Sequence, residues 1–299
     1  MLQVLPKISI VTPSYNQAEF IEATINSILT QNYPNLEYII IDGGSTDGSI
    51  EIIKKYEKYL HFWCSEPDAG QYDAINKGFS HSSGEIMTWL NSDDMYCPWA
   101  LKTVADIMSS FSEVDWLTTL NPGLWDFHGF CLGFGAIPGY SRQAFLDGCH
   151  LPKNKSSIGW IQQESTFWRR SLWQKVNQSI STDFKLAGDF DLWSRFFQHT
   201  DLYSIQAPLG GFRLQANQKS QQFEEYFIDA EKSLSNMRQI LNWQPNLLRS
   251  IPRKLKLNKI PKVKDSVLSN FGYIGKKLIR KNSEFKDAFW QIEEYKFYY

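Results

Sequence analysis

Two adjacent carboxylates, Asp93 and Asp94, follow the mostly apolar run Glu85–Leu90. Side by side at a strand end, each disfavours the charge of the other. A divalent cation, Mn2+ or Mg2+, removes that penalty, because such ions take oxygen ligands from carboxylates and substrate phosphates. The simpler account makes one Asp a cap for the helix near Pro98 and leaves the other in solvent. Upstream, Asp42-Gly-Gly-Ser-Thr-Asp-Gly48 is glycine-rich. It has no lysine in the P-loop place and does not fit Gly-x-Gly-x-x-Gly, which excludes the Walker and dinucleotide readings. It reads as a turn and helix cap, with Asp42 placed at the strand tip to accept a hydrogen bond from a base N–H. The stretch Asp68–Gly78 puts Asp68, Asp73 and Asn76 in one short loop and helix, where capping and surface roles also account for them. Asp189, in Gly188-Asp-Phe-Asp-Leu-Trp193, is either an N-cap or a general base. The helix dipole there is expected to lower its pKa, yet a hydroxyl that loses its proton in a transition state needs only a positioned acceptor.

These residues need a frame. Lys7–Thr12, Leu36–Ile41, Leu60–Cys64, Glu85–Leu90 and Val114–Leu120 read as strands. Ala18–Gln31, the stretch after Ser45-Thr46-Asp47, and Tyr72–Phe79 read as helices between them. Such alternation predicts βαβ units and a mostly parallel sheet. Ligands bind such sheets beyond the carboxyl ends of the strands. Thr12, Asp42, Glu66–Asp68 and Asp93–Asp94 all fall there. Further along, Gln162–Arg170 reads as a strand, and Asp189–His199 and Asn217–Leu241 as helices. Phe190, Trp193 and Phe197 share one helix side and are expected in the core.

The bulk numbers fit an ordinary globular protein of 299 residues, 42% hydrophobic and 21% charged, with a net charge of −1. That charge is uneven. Eleven Lys/Arg stand against the single acid Asp265 between Arg249 and Lys281, which leaves the rest acidic. An acidic body argues against a nucleic-acid partner. Cys64, Cys97, Cys131 and Cys149 form no Cys-x-x-Cys pair, so zinc is not expected and reduced thiols are. Neither a signal-peptide pattern nor an apolar run of about 18 residues occurs, and a cytoplasmic location is expected. Apolar residues interleave with the basic ones over 246–281. That pattern fits either a solvated, partly helical appendage or docking at an anionic membrane surface, at the inner face of the membrane.

In order, Ile8-Ser-Ile-Val-Thr-Pro-Ser-Tyr-Asn16, Ile41-Asp-Gly-Gly-Ser-Thr-Asp-Gly-Ser49, Asp68–Gly78, Leu90-Asn-Ser-Asp-Asp94 and Gly188-Asp-Phe-Asp-Leu-Trp-Ser-Arg195 resemble glycosyltransferase family 2 over about residues 7–220. The resemblance implies an α/β fold of GT-A type, a Rossmann-like sheet flanked by helices. Residues 1–220 would form the catalytic domain, with the nucleotide part in about 1–120 and the acceptor part in about 121–220. A helical basic extension would follow over 221–299.

The implied activity is inverting transfer from an NDP-sugar, UDP foremost, to a glycan or lipid-linked acceptor in surface polysaccharide synthesis. By position, Pro13 and Tyr15 would hold the nucleoside, with Asp68 and Asn76 nearby. Asp42 would pair with the base edge. Asp93 would lie near the ribose or metal, Asp94 would bind the cation, and Asp189 would be the base. Many relatives have a histidine where this chain has Gln215; Arg213 and Lys219 would share the diphosphate charge. Asp191 is a further candidate. Glu164 either positions the acceptor or pairs with Arg169 or Arg170, and pairing is favoured. A non-catalytic nucleotide-sugar-binding subunit is the alternative from another class. A nucleotidyltransferase would want a basic glycine-rich loop after the first strand, which Pro13-Ser-Tyr-Asn16 does not offer.

Overall fold

The computed structural model describes residues 5–151, 157–215, 222–255, 257, 260–282 and 288–298. The first half runs β1 (Ile8–Ser14), α1 (Ile21–Leu29), β2 (Leu36–Asp42), α2 (Ser49–Tyr56), β3 (Phe62–Ser65), α3 (Gln71–Ser80), β4 (Ile86–Trp89), β5 (Met95–Tyr96), α4 (Ala100–Ser110) and β6 (Trp116–Thr119). Next come β7 (Gly123–Trp125), β8 (Cys131–Phe134), α5 (Arg142–Leu146), β9 (Phe167–Arg169), α6 (Arg170–Lys175), α7 (Gly188–Phe196), β10 (Tyr203–Ile205), β11 (Gly210–Arg213) and α8 (Phe223–Ile240). The chain closes with α9 (Ile251–Lys254), α10 (Pro261–Phe271), β12 (Tyr273–Asn282) and β13 (Ala288–Phe297).

Among the described residues, one sheet orders nine strands as β13-β12-β10-β6-β9-β4-β1-β2-β3. The neighbours of β1 are parallel to it, and β9 runs antiparallel between β4 and β6. Every residue of β1 is buried, as expected when helices cover both faces of a parallel sheet. On one face Ile8, Ile10, Tyr38 and Ile40 pack under α1 and α4 residues such as Ile25 and Val104. On the other, Trp89, Trp116 and Trp168 meet Trp193 of α7, with ring centroids 5.3–6.0 Å apart. Phe190, Trp193 and Phe197 are therefore core, as their spacing predicts. A second sheet, β5-β11-β7-β8, stands beside the ends of β4 and β6.

Pro13 sits inside β1, where the sequence suggests a stop. Val11 O accepts from Leu90 N, and the β1–β4 register ends at Val11 opposite Trp89. The N of Pro13 points the same way, past the end of β4, so its missing N–H breaks no ladder bond. The stretch 162–170 is a turn, Gln163–Ser165, before the short β9. Thr166 Oγ1 donating to Gln162 O and Ser165 Oγ donating to Gln162 Oε1 fold it back.

The C-terminal segment corrects the helical expectation. It is helical through α10, then turns into the β12–β13 hairpin, whose β12 pairs in parallel with β10 and extends the main sheet. Five of its cations meet carboxylates: Lys276 pairs with Asp201, Arg280 with Asp106, Lys277 and Lys281 with Glu293, and Arg249 with Asp147. No helix among the described residues is long and apolar enough to cross a membrane. All four cysteines are free thiols.

At the edge of the sheet opposite the strand tips, Glu37 is buried. It accepts from Ser9 Oγ, Ser83 N, Ser83 Oγ, Gly84 N and Lys7 Nζ. Burial alone would raise its pKa, but the bonds from Ser83, Ser9 and Lys7 outweigh it and hold the carboxyl at about 2. A carboxyl depressed in this way contributes stability above its ordinary value near 4.5 and loses that contribution as pH falls toward 2. Denaturant titrations across that window should show a fall in stability that the Glu37→Gln variant lacks. The same variant should cost about 2 kcal/mol at pH 7.

Candidate active site

The tips of β1, β2 and β4, with the loop after β3, surround a cavity of about 670 Å3. Its wall includes Pro13, Tyr15, Gly43, Asp68, Asp93 and Gln215. The tips are held by side chains crossing between loops. Ser45 Oγ accepts from Asn16 N at 2.7 Å, Ser49 Oγ from Gln17 N at 2.9 Å, and Asp47 Oδ2 from Ala18 N at 2.9 Å. In return Asn16 Oδ1 accepts from Thr46 N, with Asn16 in the left-handed region at φ 51° that asparagine tolerates. Tyr15, just before this stitched segment, is left 62% exposed with its ring on the cavity.

Asp42 governs this arrangement from inside. It is fully buried, and its carboxylate accepts from Gly44 N, Ser45 N, Ser45 Oγ and Ser65 Oγ. It does not line the cavity, against the expected pairing of Asp42 with a base edge: Oδ2 takes three of these donors and Oδ1 takes Ser45 Oγ.

The two adjacent carboxylates part company. Asp93 lines the cavity, and its Oδ2 accepts from Gln215 Nε2. Asp94 is fully buried; its Oδ1 accepts from Arg213 N at 2.9 Å and its Oδ2 from Asn91 Nδ2 at 3.1 Å. Of the two carboxylates expected to bind a cation, Asp93 alone reaches the cavity wall. Burial raises the pKa of Asp94 well above the ordinary range, and the charges of Asp93 and Glu164 add to it. Glu164, buried in the turn before β9, is pushed to about 7, first by burial. Glu164 does not pair with Arg169 or Arg170, as was favoured. Arg169 goes to Glu85, and Arg170 to Gly84 O and Ser82 Oγ.

Arg213 is also corrected. It is buried, with Nε donating to Asp93 O and Nη1 to Phe127 O, so it clamps the Asp93–Asp94 turn. Thr24 Oγ1 of α1 holds the same turn through Ser92 O and Asp94 O. Lys219 lies outside the described residues.

Asp189 opens α7 and is not part of the cavity wall; its neighbour Gly188 bonds to Tyr72 of α3, the helix that gives Gln71 and Ala74 to that wall. Its Oδ1 accepts from Phe190 N at 2.8 Å and from Tyr226 Oη at 3.2 Å. Here the expected effect of the helix dipole is overturned. Burial raises the carboxyl to about 6, against the lowering by Phe190 N and Tyr226. Tyr72 Oη donates to Leu186 O and accepts from Gly188 N, tying α3 to the start of α7. Asn76 does the same through both of its amide atoms with Ile180 N and O, so it is a clamp, not a nucleotide contact. Asp191 pairs with Arg195 and accepts from Ser233 Oγ, away from the cavity.

Sequence reasoning passes over Ser14, Gln71, Asn91 and Phe212 in the wall, and Tyr226 beside Asp189. Gln71 and Asn91 bond to each other at 2.7 Å, and both lie inside the quoted motifs. Tyr226 lies on α8, outside every motif, and carried no signal.

Residues 9–114 match the family model described as Glycosyl transferase family 2. An uncharacterized glycosyltransferase of Mycobacterium tuberculosis is 30% identical over 191 residues, 62% of this chain and 66% of that protein. The putative teichuronic acid biosynthesis glycosyltransferase TuaG of Bacillus subtilis is 39% identical over 94 residues, 30% of this chain and 37% of TuaG. Among solved structures, S. aureus TarS 1–349 in complex with UDP-GlcNAc superposes with TM-score 0.56 at 16% identity, covering 89% of this chain and 80% of that one. The mannosyltransferase PcManGT of Pyrobaculum calidifontis, in complex with GDP-Man and Mn2+, gives TM-score 0.51 at 14% identity over 89% and 84%. The fold is thus the GT-A type of the glycosyltransferases. Through residues 9–114 the chain belongs to glycosyltransferase family 2.

The split between the two carboxylates is testable. Asp94→Ala should cost about 1–3 kcal/mol in denaturant unfolding, because Arg213 N loses its buried acceptor. Asp93→Ala should leave the unfolding midpoint nearly unchanged and abolish any Mn2+-dependent gain in nucleotide binding by calorimetry.

Proposed function

We propose that this protein is an inverting glycosyltransferase that moves a sugar from an NDP-sugar, UDP foremost, to a hydroxyl of a glycan or lipid-linked acceptor in surface polysaccharide synthesis. The observation that carries this is a cavity sized for a nucleoside diphosphate, bordered by a helix that is bonded to the start of α7, where a carboxyl of raised pKa stands. Tyr15 offers an exposed ring to the base, Asp93 and Gln215 meet in the cavity wall, and Asp189, raised to about 6, opens the helix that Tyr72 ties to the cavity-lining α3.

Among the described residues no three His, Cys, Asp or Glu side chains gather as a metal site. A Mn2+ or Mg2+ needs fewer protein ligands when phosphates complete its shell. Asp93 and the amide oxygen of Gln215, turned over about its last torsion, fit that need. When bound, the cation offsets charge on the departing diphosphate. Asp189 accepts the proton of the attacking hydroxyl as its oxygen bonds to the anomeric carbon and the bond to the diphosphate breaks. The Tyr226 hydroxyl holds that carboxylate in place. A location at the inner face of a membrane belongs to the same reading. Leu248, Ile251 and Leu255 of the tail are exposed apolar side chains that support it.

Asp189 must be ionised to act, so kcat/KM should fall as pH drops below about 6. Asp189→Asn should bind nucleotide with unchanged affinity and lose at least about 100-fold in turnover, measured as NDP release. Tyr226→Phe removes a bond that favours the ionised form and should move the acidic limb upward. Full activity of Asp189→Asn would exclude it as the base. Nucleotide binding without NDP release under any acceptor would favour the non-catalytic binding subunit, for which Gln215 in place of histidine is the motivating feature.

A further inference from the structure

Tyr226 joins the Asp189 carboxylate to an aromatic corner. Its Oη bonds that carboxylate, and its ring centroid lies 6.4 Å from the ring of Trp160, at 62° to it. Trp160 in turn lies 5.9 Å from the ring of Phe223, the first residue of α8, with the two planes 49° apart. Trp160 is 48% exposed and Phe223 44%. Neither belongs to the wall of the nucleotide cavity. The indole is open to solvent, yet its backbone is held from inside. His150 Nδ1 donates to Gly159 O at 2.8 Å, and Tyr140 Oη donates to Trp160 O at 3.1 Å. His150 and Tyr140 are both buried. Gly159 turns at φ 112°, and a Cβ there would run into Ile137 Cδ1. Leaving a large apolar ring in water forgoes the gain of burying it. Two buried side chains and a left-handed glycine nevertheless fix the backbone that presents this one, as a preformed ligand surface requires.

We propose that Trp160 and Phe223 form a platform for the acceptor, on which an uncharged sugar ring stacks with one of its hydroxyls directed at Asp189. This rests on the transferase reading above and narrows its acceptor class. The C–H face of a pyranose ring is apolar and covers an aromatic face, while its hydroxyls project at the rim. A few polar groups beside an aromatic surface are what fix the orientation of such a ligand, and here Tyr226 Oη and the Asp189 carboxylate are those groups. Two rings set 49° apart form a corner, which suits a puckered ring better than the parallel slot a flat base would want. Charge narrows the class further. Glu224 and Glu225 follow Phe223 in the first turn of α8, and with Asp189 they make the surroundings acidic. A sugar bearing a carboxylate or phosphate would be repelled there.

Saturation-transfer NMR of the full chain, with UDP and Mn2+ present, tests this on the methyl glycosides of glucose, galactose, mannose, N-acetylglucosamine and glucuronic acid. The wild type should transfer saturation to the ring C–H protons of at least one uncharged glycoside, and less to the glucuronide. Trp160→Ala should weaken that glycoside by about 10-fold, and Trp160→Tyr should retain most of its binding. Gly159→Ala should weaken it too, by displacing the indole. Trp160 is half-exposed, so the melting midpoint of Trp160→Ala should stay close to that of the wild type. Equal binding by a folded Trp160→Ala, a preference for the glucuronide, or no transfer from the folded wild type to any of the five would overturn the platform. The nucleotide is read separately by calorimetry with UDP and GDP in excess Mn2+, where Trp160→Ala should match the wild type. Failure of the folded wild type to bind either nucleotide would overturn the transferase reading, whatever the glycosides do.

Discussion

Three successive backbone N–H groups, those of Asn16, Gln17 and Ala18, have no partners within their own loop, and the side chains of the next loop supply them. Ser45, Ser49 and Asp47 can do so only because the buried Asp42 carboxylate pins Gly44 and Ser45 from below. Left-handed Gly44 and Gly48, at φ 82° and 100°, let the chain turn tightly enough to present these groups. The cavity depends on this mutual bonding. It holds the tips of β1 and β2 together and projects Tyr15 outward.

The acidic groups divide by depth, and depth sets their chemistry. Asp93 remains at the cavity wall, where a charge is available to a ligand. Asp94 and Glu164 are taken fully inside, where two carboxylates without a cation between them are costly as a doubly charged pair. The structure spends Arg213 on the backbone of this turn, fixing Asp93 in place instead of meeting a ligand. Asp189 sits between these extremes, half-buried at a helix start. Burial there outweighs the dipole and the hydroxyl of Tyr226, which suits a group that must take a proton near neutral pH. Its helix is immobilised by Trp193 among three other tryptophans, so the carboxyl rides on a rigid element.

The C-terminal hairpin shows how a charge-rich segment can serve the fold. Each of its cations noted above meets a carboxylate of the body or of its own partner strand, while Leu278 enters the core beneath α4. Arg280 also lies 5.3 Å from the ring of Trp290 across the hairpin. Much of the basic charge between Lys276 and Lys281 is thus used to attach the last strands to the sheet.

Apart from the two-residue β5, the order of strands and helices through β6, the parallel sheet and its ligand-binding edge were determined by local sequence. Runs such as Tyr38-Ile-Ile-Ile41 and the turn residues after them admit few alternatives. Five spaced motifs were enough to recognise the family. What only the tertiary structure decided was which polar groups face the cavity. Asp42 and Asp93 look alike as acids at strand tips, yet one is buried under four donors and the other lines the cavity. Asn76, Asp191 and Arg213 carry the residue types of a site but are consumed by Ile180, Arg195 and the Asp93–Asp94 turn. Tyr226 lies 37 positions from the carboxyl it bonds. The reason is physical: spacing along the chain records which residues share an element or a strand end. Whether a side chain is spent on the fold or left for a ligand depends on partners brought together only by packing.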